Sequence, residues 1–524
     1  MPGADTRSPA KVYLVGAGPG DPGLLTLRGA DCLRRADVVL YDYLVNPQIV
    51  SLAPPSAERI CLGQHGRSRL WTQDEINSRL IDCVSQGRTV VRLKNGDPAV
   101  FARAAEETSA LIAARIPFEI IPGITAGLAA ASCAGIPITH RQRASAVALV
   151  TGHEDDQKVL TTLDYVSLAR FPGTLIFYMG VTAAPIWSTA LMAAGKPPDT
   201  PVALVRRCSL PDQKTVFCTL GDVDTRIRDE QLRPPVVVMV GSVATPTSAA
   251  NWFEGRPLSG RRILVTRAAH QASELVGQLQ ELGADTVVQP AIEIAPPLDW
   301  EPVDRALAQL PQFDWLVFSS ANGVRYLLDR LLAGERDLRA LGTVRLAAMG
   351  PGTAEELARY RLRADLQPDT YRAEALAAAL ARNAQGKKFL LARANRGREV
   401  LASELEAAGG IVQQIVVYRS LDCTHADSHL VESLAASQID YVTVTSSAIA
   451  LALHRLLGRQ LSNTRLVSIS PVTSQALREV GLPVAVEATD FTMRGIIDAI
   501  LRDVNADRSA DRPDPAAGSS DCRP

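Results

Sequence analysis

The sequence predicts an α/β protein of two halves with largely parallel sheets. Three observations carry that expectation. Strand-like apolar runs alternate with helix-like runs along the chain, as in βαβ units. One seam interrupts the pattern: after PPVVVMVGSVA comes the polar, proline- and glycine-bearing ATPTSAANWFEGRPLSG, and RRILVTR then starts a fresh strand at Arg261. The second half also repeats itself. RILVTRA at Arg262 matches KFLLARA at Lys388, and DWLVFSSA at Asp314 matches DYVTVTSS at Asp440, both 126 residues apart, whereas GPGTAEEL at Gly350 matches SPVTSQAL at Ser470 at 120. One six-residue deletion in a loop reconciles the registers, so two similar α/β lobes are expected there.

Composition bounds the rest. At 524 residues, three or four domains are expected. The balance of 55 basic against 56 acidic residues gives a net charge of -1, which provides no global field for nucleic acid or membrane. Hydrophobic residues make up 47% and aromatics only 5%, so the core rests on Ala, Val, Leu and Ile. The eight cysteines are scattered singly without C-x-x-C, which indicates neither zinc nor a disulfide framework. MPGADTRSPA has no apolar core for a signal peptide. The low-charge run near Ile120 to Ile138 is broken by Pro122 and Pro137 and is too short to span a bilayer. A soluble, cytoplasmic protein is expected, with a disordered leader at 1–10, a first half at 11–245, a linker at 246–260, a second half at 261–503 and a disordered tail at 504–524.

The first half opens with VYLVGAGPGDPGLLTLRGADCL. Val12 to Val15 reads as a strand, Gly18, Gly20 and Gly23 fit G-x-G-x-x-G, and Leu24 to Leu33 reads as a helix. A second strand, DVVLYD, ends on Asp42, where a ribose-binding acid would sit in a dinucleotide fold. A Rossmann oxidoreductase is thus one reading. Pro19 and Pro22 oppose it, because proline offers no N–H to a pyrophosphate. A tight turn with no ligand is another. In the second half each repeat carries hydroxyls at a strand end, Ser319 and Ser320 in one, Thr445 and Ser446 in the other, and a threonine at a helix start, Thr353 and Thr473. Strand ends in such sheets open onto a crevice, where hydroxyls and free N–H groups bind carboxylates. Each could equally be a helix N-cap.

From about Lys11 to Val243 the ordered set VYLVGAGPGDPGLLTLRGADCL, DVVLYDYLV, TQDEIN, VVRLKNGDPAVFARAAEE, IPGITAGLAAASCAGIPITHR, VTGHE, FYMG and VVVMVG resembles uroporphyrinogen-III C-methyltransferases of the tetrapyrrole methylase family. The resemblance implies that the loop holds S-adenosylmethionine, that no metal is used, that uroporphyrinogen III is methylated at carbons 2 and 7 to precorrin-2, and that this half forms a homodimer. Carried over by motif, Asp42 is the proton acceptor, Arg103 and Glu106 match the Arg and first Glu of G-R-G-G-E-E, and Pro19, Asn95, Gly96, Asp97, Val100, Thr125, Ala126, Met179 and Cys208 line the cofactor. The plainer readings are a turn cap for Asp42, an exposed helical pair for Arg103 and Glu106, a turn for Asp97-Pro98 and core packing for Met179. The chain departs from the family at several points. Asn95 stands for a glycine, Ala102, Ala104 and Ala105 replace three more, Gln64 replaces a proton-donating lysine, Tyr43 an arginine and Cys208 a glycine. These departures keep open a methylase half that is impaired or acts on another tetrapyrrole.

From about Gly260 to Val504, RRILVTR, FDWLVFSSANGV, MGPGTAEEL, VVYRS and DYVTVTSSA resemble uroporphyrinogen-III synthase, a family of two similar lobes joined by a short ladder. The resemblance implies cyclisation of hydroxymethylbilane with inversion of ring D, so the product of one half would be the substrate of the other. Tyr418 matches a tyrosine that assists loss of the hydroxyl, and packing between lobes is its plainer role. Ser320, Asn322, Thr353, Thr445, Ser446 and Thr473 are candidates for the acetate and propionate groups, and Ser470 replaces a common glycine. The alternative is a non-catalytic two-lobed binding module.

Overall fold

The computed structural model describes residues 10–63, 69–153, 162–245, 251–397 and 399–510, without the side chains of 269, 270, 509 and 510. These divide into two compact units, one ending at Arg261 and taking in Gln278–Asp285, the other comprising Arg262–Gly277 and the chain from Thr286 onward.

The first unit has two sheets. Strands β1 (Val12–Gly16), β2 (Val38–Tyr41), β3 (Glu58–Cys61), β4 (Val90–Lys94) and β5 (Phe118–Ile121) form a sheet in the order β3-β2-β4-β1-β5. Every pairing in it is parallel, and helices cover it as parallel sheets require. One covering helix shows how locally these elements are specified. In TQDEIN, Thr72 accepts from the Glu75 N–H while the Glu75 carboxylate accepts from the Thr72 N–H, a capping box that starts Gln73–Ser85. The helix then buries Ile76, Leu80, Cys83 and Val84 at helical spacing. The opening loop differs from its sequence reading. The helix-like run from Leu24 is a short 3-10 turn at Pro22–Leu24, and the α-helix starts afresh at Leu27. Asp21 caps the turn and Thr26 caps the helix, and these two local caps outweigh the continuous apolar pattern.

The second sheet holds β6 (Val147–Thr151), β7 (Thr174–Tyr178), β8 (Pro201–Arg206), β9 (Lys214–Thr219) and β10 (Val236–Val240) in the order β6-β7-β10-β8-β9. Only β6 and β7 pair parallel; β10 runs antiparallel to both neighbours and β8 to β9. The short β8–β9 connection permits only a hairpin, so this sheet departs from the expected parallel pattern. Residues 251–260, expected as linker, pack on this unit. Phe253 is buried, Trp252 donates to the Ser132 carbonyl at 2.9 Å, and Glu254 accepts from Gln213 at 3.1 Å and Thr215 at 2.5 Å.

The second unit has two lobes. One sheet orders as β12-β11-β18-β19-β20, from β11 (Arg262–Val265), β12 (Asp285–Val288), β18 (Tyr441–Val444), β19 (Arg465–Ser468) and β20 (Val484–Glu487); the other as β13-β17-β16-β14-β15, from β13 (Ile292–Ala295), β14 (Trp315–Phe318), β15 (Arg345–Ala348), β16 (Lys388–Ala394) and β17 (Ile411–Asp422). The sequence repeat equates β11 with β16, β14 with β18 and β15 with β19. The lobes nevertheless exchange their first strands: β11 pairs with β18, and β16 with β14. A repeat is therefore not a lobe. The chain crosses between lobes twice, and the crossings run side by side as an antiparallel ladder of β13 on the end of β17. The last helix, Met493–Ala510, runs past the expected tail start at 504, because Val504 is buried and Asp507 pairs with Arg465 at 2.5 Å.

Candidate functional site

In the first unit the candidate residues gather at the C-terminal ends of β1, β4 and β5, where open parallel sheets place ligands. The chain is pinned there by three glycines. A methyl carbon on Gly123 would lie 2.2 Å from the Gly96 carbonyl oxygen, and one on Gly16 would lie 2.6 Å from the Gly123 backbone. Gly18 and Gly96 exchange backbone hydrogen bonds of 3.1 and 2.8 Å. Asp97 accepts from Gly123 at 2.8 Å and from Ala99 at 2.7 Å, so its carboxylate ties the loop, and Val100 closes that turn on Asp97. Pro19 is buried in the glycine loop, which Asn46 and Ser209 hold at Gly20 and Asp21. Thr125 and Ala126 start the helix Ala126–Ala134. The Thr125 hydroxyl meets Tyr178 at 2.8 Å, and Tyr178 also accepts from Gly127. Cys208 lies 3.7 Å from the Ala126 carbonyl, and burial pushes its thiol up to about 12. Met179 is exposed after β7 in a left-handed conformation.

Asp42 follows β2 on the neighbouring strand end. Its Oδ1 accepts from Arg92 Nη2 at 2.6 Å; Arg92 Nε donates to Glu107 Oε1 at 2.9 Å, and Lys94 Nζ donates to the same oxygen at 2.7 Å. Arg92, Lys94 and Glu107 are buried. Burial, with Arg92 alongside, lowers the Lys94 amine from its usual range, partly countered by Glu107. Arg103 and Glu106, by contrast, form an exposed bidentate pair at 2.7 and 2.6 Å at the start of Ala104–Ala113. The sequence reading chose Glu106 and passed over Glu107. It also passed over Arg92 and Lys94, although two cations inside the apolar run VVRLK were a visible signal.

Three of the departures from the family pattern find ordinary places. Gly96, not Asn95, has the positive φ of that loop, so residue 95 needs no glycine. Ala104 and Ala105 lie in the first turn of a helix, where alanine is the better former. Gln64 lies outside the described residues.

In the second unit a cleft of about 470 Å³ lies at the strand ends of both lobes. Ser320, Tyr418, Thr445, Ser446 and Thr473 line it; Asn322 and Thr353 are buried but do not. Three of its serines are N-caps: Ser320 of Ala321–Ala333, Ser446 of Ser447–Leu457 and Ser470 of Pro471–Glu479. The capping role and the cleft role coincide. Each helix start brings partial positive charge, which suits carboxylates. Ser470 replaces a glycine without strain, because its φ of -162° is plain extended backbone. The Tyr418 ring stacks on Tyr326 with centroids 5.9 Å apart, and its hydroxyl meets Ser320 at 3.0 Å. Burial pushes that phenol up, and its hydrogen bonds to Ser320 and Asn322 offset part of the rise. Asn322 accepts from Gln271 of the other lobe at 2.7 Å. Arg396 also lines the cleft, anchored to Asp422 and Ser420, both at 2.6 Å. The sequence reading passed over Arg396.

Among the described residues no helix is long and apolar enough to cross a membrane, and no cluster of three His, Cys, Asp or Glu could hold a metal.

Comparison with known proteins assigns both halves. Residues 11–224 match the family described as Tetrapyrrole (Corrin/Porphyrin) Methylases, and residues 273–498 match Uroporphyrinogen-III synthase HemD. The "Porphyrin biosynthesis protein HemD" of Ruminiclostridium josui is 32% identical over 94% of this chain and 97% of its own. The "Uroporphyrinogen-III C-methyltransferase" of Bacillus subtilis is 37% identical over 68% of this chain and 74% of its own. The "S-adenosyl-L-methionine-dependent uroporphyrinogen III methyltransferase" of Methanosarcina barkeri is 44% identical over 44% of this chain and 91% of its own. With both family matches on one polypeptide and a relative alike over almost its full length, the chain belongs to the porphyrin biosynthesis HemD family, as a tetrapyrrole methylase fused to a uroporphyrinogen-III synthase.

Proposed function

We propose that the chain is a bifunctional enzyme of tetrapyrrole biosynthesis. Its second half cyclises hydroxymethylbilane to uroporphyrinogen III with inversion of ring D, and its first half methylates that product at carbons 2 and 7 to precorrin-2. The observation that carries this reading is the convergence of the Gly16–Gly96–Gly123 crossing with the Arg92-held carboxylate of Asp42 at adjacent strand ends. The crossing leaves no side chain where the backbone must approach a flat adenosine, which fits S-adenosylmethionine. Pro19, Asn95, Gly96, Asp97, Val100, Thr125, Ala126, Met179 and Cys208 surround it. Bound S-adenosylmethionine supplies an electrophilic methyl group. The protein positions the macrocycle in line with it and excludes water. Asp42 then takes the proton that the methylated, cationic macrocycle sheds. Arg103 and Glu106, held to each other as an exposed pair, take the catalytic places that the matched motif implies.

In the second half, the helix starts at Ser320, Ser446 and Ser470 support acetate and propionate binding, with Thr445 and Thr473 beside them. Asn322 and Thr353 act from behind the lining. Tyr418 donates a hydrogen bond to the departing hydroxyl, and its raised pKa keeps it protonated for that role. The cleft then folds the linear substrate so that ring D closes through the inverted carbon. The first half forms a homodimer, and the enzyme works in the cytoplasm.

A coupled assay tests the reading. Purified protein receives hydroxymethylbilane with and without S-adenosylmethionine, and products are resolved by isomer and mass. Type III uroporphyrinogen without the cofactor, and two added methyl groups with it, are expected. Type I isomer throughout would overturn the synthase assignment, and type III isomer with no added methyl would overturn the methylase assignment.

A further inference from the structure

β4 is the central strand of an all-parallel sheet, a position that usually carries aliphatic side chains on both faces. Here one face carries Arg92 and Lys94, two residues apart, and the helix Ala104–Ala113 lays Glu107 over them. All three side chains are at most 4% exposed. Burying such charges is costly, and an apolar set of similar volume would serve stability as well or better. The hydrogen bonds point to what the cluster serves instead. Arg92 spends its guanidinium in three directions: Nε on Glu107 at 2.9 Å, Nη1 on the Leu93 carbonyl at 3.1 Å and Nη2 on Asp42 at 2.6 Å. A planar fork held at three points cannot swing. Lys94 donates to the same Glu107 oxygen that Arg92 uses, which leaves Glu107 Oε2 buried without a hydrogen-bond partner among the described residues. The fold thus leaves one oxygen bare and keeps the other on both cations. The outcome is that Asp42, about a third exposed, has Oδ1 fixed from below.

We propose that Arg92 and Glu107 are positioning residues for methyl transfer: Glu107 fixes Arg92, and Arg92 clamps Asp42 Oδ1 so that Oδ2 faces the proton to be removed. The proposal rests on the reading of Asp42 as proton acceptor. In the step served, a pyrrole carbon contributes the electron pair of the new carbon–carbon bond, and the carbon–sulfur pair leaves on sulfur as a neutral thioether. The cationic macrocycle becomes neutral by giving its proton to Asp42 Oδ2, and Asp42 later releases it to solvent. Lys94 keeps the buried set balanced at two cations and two carboxylates.

The test uses the full chain and the variants D42N, R92K, D42N/R92K and K94M/E107Q. The last removes one charge of each sign, so the sheet interior stays balanced. The readouts are kcat and KM for uroporphyrinogen III and the calorimetric Kd of S-adenosylhomocysteine. R92K and K94M/E107Q are expected to lower kcat about 10- to 100-fold while Kd and KM stay within about threefold. D42N/R92K is expected to be no slower than D42N alone, because a residue acting through Asp42 has nothing left to position. Unchanged kcat in R92K and K94M/E107Q overturns the proposal, and so does a double variant whose loss is the product of the single losses. A wild-type rate in D42N separately overturns the acceptor reading and the proposal with it.

Discussion

Replacing Gly123 with alanine isolates the glycine crossing from every other feature of the first half. Gly123 has no positive φ, so alanine is conformationally allowed and only space opposes it. Its methyl carbon would lie 2.2 Å from the Gly96 oxygen and 2.8 Å from the Gly16 Cα, all backbone atoms that cannot rotate away. Ordinary contact is about 3.5 Å, so the ends of β4 and β5 must part by roughly 1 Å. That movement breaks the Gly18–Gly96 hydrogen bonds of 3.1 and 2.8 Å and the Gly123–Asp97 bond of 2.8 Å. Two or three lost bonds at about 1 kcal/mol each, with overpacking of about 1–3 kcal/mol, give a local loss of about 3–6 kcal/mol. The cofactor floor shares these atoms, so S-adenosylhomocysteine should bind at least about 100-fold more weakly. Calorimetry reads the affinity, and hydrogen–deuterium exchange of peptides covering β1 and β4 reads the opening. Gly277→Ala is the control, because nothing lies within 4 Å of its methyl position. If Gly123→Ala bound within twofold of wild type with unchanged exchange, the argument that backbone contact shapes this site would fail.

Other consequences follow from single contacts. Tyr418→Phe keeps the stacking on Tyr326 but loses the hydroxyl contact with Ser320. It should cost about 1 kcal/mol of stability or less and slow type III formation at least about tenfold, with more type I isomer in the same assay; an unchanged isomer ratio and rate would leave Tyr418 as packing only. Ala105→Gly, in an exposed first turn, should lower stability by about 0.5–1 kcal/mol and leave methyl transfer unchanged, whereas faster transfer would show that alanine crowds the substrate there. The Arg88, Lys11, Arg330 and Lys387 side chains hold Glu58, Glu119, Asp304 and Asp314 below the usual carboxylate range. Each folded-state pKa lies under its unfolded value, so each contribution is fully present above the unfolded pKa and is lost as pH falls through the folded one. Tm should therefore hold near neutrality and decline from about pH 5 downward; a Tm that rose on acidification would contradict those pairs.

The residues alone determined most of the elements, though not all of their ends. TQDEIN starts a helix by its own capping box, VVVMV forms a buried strand, and SerSer and ThrSer mark the strand ends that face the cleft. These are short-range effects, fixed by hydrogen bonds and periodicity within a few residues. The glycine loop was legible in the same way, although its helix begins at Leu27 because Thr26 caps it there. What the residues could not show depends on partners far along the chain. The sequence puts two cations inside the apolar run VVRLK but does not show that Asp42, 50 residues away, and Glu107, 15 residues away, close on Arg92. The repeat says that two lobes are alike but not that β11 joins β18 while β16 joins β14. Strand pairing, close backbone approach and a buried charge network are decided by which surfaces meet. Only the tertiary fold brings those surfaces together, because the free energy that selects one meeting over another is summed over the whole core rather than carried by any one segment.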